Sequence, residues 1–96
     1  MTAEEILRIL SRNKAKLRQM GVRKIGLFGS YRRGTSNPES DVDFVVVLER
    51  RTFDSYMDVK FFLENLFERD VDLVMEETIK PRLRAYIMEE VVYAQG

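Results

Sequence analysis

Residues 26–48, GLFGSYRRGTSNPESDVDFVVVL, decide how this chain folds. The stretch opens as an apolar strand that stops at Gly29-Ser30, where exposed backbone N–H groups can face an anion. Gly34 through Ser40 packs Gly, Ser, Asn and Pro into a few positions and must be a loop. Asp41 and Asp43 then run into Val42–Leu48, the most β-prone run in the sequence. Strand residues two apart share a face, so both carboxylates point the same way. Val45 and Val47 follow Asp43 on that face, and Phe44, Val46 and Leu48 take the other. Apolar residues on both faces predict an interior strand.

Working outward, Thr2 and Glu5 form a capping box for a helix over Ala3–Met20, with Gly21 as its stop. Val22–Phe28 is the first strand, with Ile25 and Leu27 on one side, and Ser30 caps a helical turn to Arg33. Downstream, Thr52 caps a helix over Phe53–Glu68 whose stripe is Val59, Phe62, Leu63, Leu66 and Phe67. Val71–Met75 is a third strand. Pro81 opens a last helix reaching Tyr93, with Leu83, Ile87 and Val91 inward. The predicted order is α-β-turn-β-α-β-α, an α/β (α+β) fold with a mixed three-stranded sheet in one small domain spanning residues 1–96. Strands two and three form a parallel βαβ unit with a right-handed crossover, and the short loop makes strands one and two antiparallel.

Composition narrows the chemistry. The 96 residues are 45% hydrophobic and 33% charged, with no cysteine and no histidine. Disulfides, thiolate zinc sites, cysteine nucleophiles and histidine triads are therefore excluded. No apolar run reaches the roughly 20 residues of a membrane span, and a cytoplasmic location is expected. Any metal must be held by oxygen, which favours magnesium, with manganese as the alternative. Residues 1–34 carry nine bases against two acids, although the whole chain is neutral. Such a split guides a polyanion to one side or is simply a solvated helix face. Neutrality argues against sequence-independent nucleic-acid binding.

Topology predicts where the polar residues meet. Gly29-Ser30 ends strand one, Asp41 and Asp43 begin strand two, and Asp72 begins a strand parallel to it. All of them reach one edge of the sheet, with Asp72 turned away from Val71 and Leu73. Three carboxylates there could hold two magnesium ions, with Asp72 accepting a proton from an attacking hydroxyl. Gly29 lets backbone approach a triphosphate, Ser30 can donate its hydroxyl, and Arg33, with Arg32, can neutralise phosphate charge. Each piece alone has a plainer reading: a turn, a solvated strand cap, a strand-end acid such as Asp70.

Together, GLFGSYRRGTSNPESDVDFVVVLE and VDLVMEETIKPRLRAYIMEEVVY resemble the minimal nucleotidyltransferases of the DNA polymerase β-like superfamily. Within it, the chain is similar to the antitoxin member of HEPN/MNT toxin–antitoxin pairs. The resemblance implies that Gly29 and Ser30 bind ATP and that Asp41, Asp43 and Asp72 ligate magnesium. It also implies AMP transfer onto a tyrosine of a HEPN ribonuclease partner, in a hetero-oligomer. Arg32 departs from the small residue common there and points to solvent or to a phosphate. A chain this short must borrow its acceptor surface, and Ile9, Phe61, Met88 and Val92 fall outside the helical stripes as candidate contacts. Two other readings compete: an antitoxin that masks its partner, and transfer to a small molecule or RNA. The Lys80, Arg82, Arg84 cluster holds a phosphate or a partner, or is a solvated face.

Overall fold

A computed structural model describes residues 1–94; the last two residues of the expected domain lie outside the described residues. The element order is α1 (Ala3–Arg12), α2 (Lys14–Gln19), β1 (Val22–Phe28), α3 (Gly29–Arg33), β2 (Val42–Leu48), α4 (Phe53–Phe67) and β3 (Val71–Met75). A 3₁₀ turn (Glu76–Thr78), α5 (Pro81–Glu90) and β4 (Val92–Tyr93) complete it. Strands line up as β3-β2-β1-β4, with β2 and β3 parallel and both pairs involving β1 antiparallel. The α+β class, the mixed sheet and the direction of each predicted pairing therefore hold.

Alternation divides the sheet into two faces. Ile25 and Leu27 of β1, Phe44, Val46 and Leu48 of β2, and Val71 and Leu73 of β3 are buried in the main core. Ile6, Leu10 and Leu17 of the N-terminal helices and Val59, Leu63 and Phe67 of α4 cover them. Phe44 and Phe67 pack with ring centroids 5.6 Å apart. The opposite face carries a smaller cluster of Phe28, Val45 and Ile79, joined by Val74, Ile87, Val91 and Tyr93. That second face also carries Asp43 and Asp72.

Five predicted features differ. The single N-terminal helix is broken at Asn13, whose backbone leaves the helical region (φ −106, ψ 14). The Asn13 amide donates to the Ile9 carbonyl at 2.8 Å, a side-chain bond that competes with the helical ladder. The turn after β1 begins at Gly29, so Phe28 occupies the cap position and the Ser30 hydroxyl caps nothing. The last helix ends at Glu90, and the sheet has four strands rather than three. Val92 and Tyr93 pair with Leu27 and Gly26, covering an edge of β1 that would otherwise be open. Gly26 makes this possible: a Cβ there would sit 2.6 Å from Val91 and 2.9 Å from Tyr93. Finally, Leu83 faces solvent, because only the C-terminal part of α5 (Ile87 and the following Val91) rests on the sheet.

Candidate active site

The site is built on a lateral row across three strands. Phe28 at the end of β1 pairs with Asp43, and Asp43 pairs with Asp72. Adjacent strands lie about 4.8 Å apart, so the two carboxylates leave the same face side by side. Gly29 follows Phe28 with φ +79, a conformation that residues with a side chain rarely adopt. A Cβ at Gly29 would run into the Asp43 carboxylate. The backbone of the Gly29 turn therefore lies directly against Asp43, the residue paired with Asp72.

Crowding has an electrostatic consequence. The Asp43 carboxyl is pushed up from the usual 3.8 to about 6. Burial is the main cause, followed by the charges of Asp72 and Asp41 and a hydrogen bond shared with Asp72; Arg33 offsets part of it. Asp41 sits one residue before β2, exposed, and acts on Asp43 through its charge. Among the described residues no group of three or more acids is gathered into a ready-made metal site. The structure thus joins Asp43 and Asp72 closely and leaves Asp41 on the rim. Two adjoining hard-oxygen donors that repel one another suit a divalent cation, which would relieve that repulsion.

The basic residues of the turn are committed. Arg33 Nη1 donates to both carboxylate oxygens of Glu90, at 3.0 and 3.1 Å. Gly29 N–H donates to Glu90 Oε2 at 2.7 Å. Arg32 Nε donates to the Glu90 backbone carbonyl at 2.8 Å, so this residue ties down the end of α5. Partial burial raises the Glu90 carboxyl, but the Gly29 and Arg33 hydrogen bonds with the Arg33 and Arg32 charges outweigh it and leave it below its usual range. A cleft of about 630 Å³ opens here, lined by Phe28, Gly29, Arg33, Asp43, Tyr86 and Glu90 among others. A larger depression of about 760 Å³ lies at the far end of β2, around Gly21, Glu49 and Asp58, and holds none of the predicted site residues.

Glu90 and Tyr86 were not among the sequence-predicted residues. The one signal for Glu90 was an acid in the last turn of a helix, where the macrodipole disfavours it. Of the four candidate contacts, Phe61 is 53% exposed, while Ile9, Met88 and Val92 are partly buried. Phe53 (75%), Tyr86 (74%) and Leu83 (47%) are also exposed. Arg84 of the basic cluster pairs with Glu76, its Nη2 lying 3.6 Å from Oε1. Among the described residues no helix is long and apolar enough to cross a membrane.

Residues 4–94 match the family model described as a nucleotidyltransferase domain. The chain belongs to that family. This nucleotidyltransferase is 41% identical, over 97% of its length and 96% of the relative's, to protein adenylyltransferase MntA of Thermococcus cleftensis. A solved structure assigned as a minimal nucleotidyltransferase superposes with a TM-score of 0.81 at 30% identity, covering 96% of this chain and 95% of that one. A toxin–antitoxin crystal structure with AMP-PNP superposes with a TM-score of 0.70 at 25% identity, covering 100% of this chain and 74% of that one. The chain is a nucleotidyl-transferring enzyme.

Proposed function

We propose that this nucleotidyltransferase moves AMP from ATP onto a tyrosine hydroxyl of a HEPN toxin, releasing pyrophosphate, and that the modification silences the toxin. The observation that carries this reading is Asp43, paired across the sheet with Asp72, lying against the backbone of Gly29. The similarity to protein adenylyltransferase MntA and to a toxin–antitoxin structure with AMP-PNP supports the direction of transfer and the kind of partner. A cysteine-free chain suits action in the cytoplasm.

Asp43 and Asp72, with Asp41 from the rim, are the residues that would hold magnesium, which when bound supplies charge neutralisation at the triphosphate and activation of the incoming hydroxyl. The Gly29 N–H, the Ser30 hydroxyl and the Arg33 guanidinium bind phosphate oxygens. Asp72 accepts the proton of the toxin hydroxyl as its oxygen bonds to the α-phosphorus. The bond from that phosphorus to the bridging oxygen breaks, and pyrophosphate leaves.

The test is transfer from ATP labelled at the α-phosphate to a co-purified HEPN toxin in magnesium. Label should appear on a toxin tyrosine and vanish with Asp43→Asn and with Asp72→Asn. The exposed Phe53, Phe61, Leu83 and Tyr86 favour a second reading, neutralisation by masking alone. Asp43→Asn protein that neutralises the toxin with no label incorporated would establish masking and remove the transferase account of neutralisation.

A further inference from the structure

We infer that Glu90 is a built-in occupant of the triphosphate seat and that it sets how tightly ATP binds. The inference rests on the reading of Gly29 and Arg33 as phosphate-binding groups. The Glu90 carboxylate takes the Gly29 N–H at 2.7 Å and the Arg33 guanidinium through both of its oxygens, at 3.0 and 3.1 Å. A backbone N–H and a guanidinium converging on one anion would hold a phosphate in the same way. The single Gly29 N–H cannot serve Glu90 and a triphosphate together, and the Arg33 charge is shared between them if both are present.

Three features fit an occupant that yields. The Glu90 side chain keeps about a quarter of its surface in solvent (25%), so it can turn outward without crossing the core. It is the last residue of α5, followed by Val91 in extended conformation, and a carboxylate there opposes the helix dipole. Helix stability therefore does not explain its position; the Gly29 and Arg33 contacts do. Moreover, Arg32 binds the Glu90 backbone carbonyl rather than the carboxylate, so α5 stays anchored when the side chain leaves.

The test uses inorganic tripolyphosphate with magnesium as the probe and isothermal titration calorimetry on the full chain. Glu90→Gln keeps the shape and a carbonyl for Gly29 but loses the charge that Arg33 holds. Binding should tighten about tenfold, the scale of a charge-assisted hydrogen bond no longer in competition. In parallel, the apparent KM for ATP should fall while kcat holds. Weaker or unchanged binding would overturn the inference and make Glu90 a brace for the turn. A second readout needs no variant: in the wild-type chain, the Glu90 side-chain carboxyl carbon resonance should move on saturation with tripolyphosphate. A resonance that stays put while the probe binds overturns the inference equally. The proposed function fails separately: tightening by Glu90→Gln with no AMP transferred to toxin would leave Glu90's role standing and remove the transferase reading.

Discussion

The two faces of the sheet are made by the same strands and do opposite things. On the face under α1, α2 and α4, Phe44, Val46, Leu63 and Leu10 are fully or almost fully buried, with no polar group among them. On the face under α5, one residue out of step, Asp43 and Asp72 stand shoulder to shoulder and repel. Stability is concentrated on one side, and the other side carries an electrostatic cost that a ligand can relieve. Alternation is the whole device: a shift of one residue in register would exchange the two sets.

Substitutions should break this contrast to different degrees. Phe44→Ala should cost about 3–5 kcal/mol, the usual range for a large buried side chain, seen as a lower urea midpoint. Gly29→Ala should cost on the order of 1–3 kcal/mol through the strained positive φ and should also abolish ATP binding, since its methyl group meets Asp43; urea melts and calorimetry read the two effects. Asp43→Asn should have the reverse sign on stability. Folding raises the Asp43 pKa, chiefly by burying its charge and then by the repulsion of Asp72 and Asp41, so the penalty is absent below pH 3.8, grows as pH rises, and is complete above about 6. Thermal melts of Asp43→Asn should therefore exceed wild type at pH 7.5 and converge with it below pH 3.8. A melt that falls at pH 7.5 would mean that Asp43 supports the fold. The smallest effect belongs to the edge, where Lys24 lies 4.0 Å over the Tyr93 ring: Lys24→Met should change stability by only about 0.5 kcal/mol.

What could be read from the sequence follows the same division. Period-two alternation in VDFVVVL and VDLVM is enough to send Asp43 and Asp72 to one face, and a parallel crossover is enough to start both strands at one edge. Gly29 was legible because a turn and a close approach both demand it. Contacts between distant residues of no regular pattern were not legible. Nothing local tells that Glu90 reaches Gly29, 61 residues away, or that Arg32 takes its carbonyl. The short β4 was hidden because two residues carry no periodicity, and Val91-Val92 continues a helical spacing as well as it begins a strand. Asn13 broke α1 from α2 by a side-chain bond that helix propensity does not register. Leu83 misled for a related reason: an apolar residue on a helix implies a covered face only where something lies beneath it.

The most direct test of the acid pair is to count bound manganese by electron paramagnetic resonance, in the presence of a non-hydrolysable ATP analogue. Wild type and a conservative core variant, Val46→Ile, should bind the ion alike, whereas Asp43→Asn and Asp72→Asn should each lose it. Equal manganese binding by Asp72→Asn and wild type would contradict the assignment of these two aspartates to a shared metal and nucleotide site.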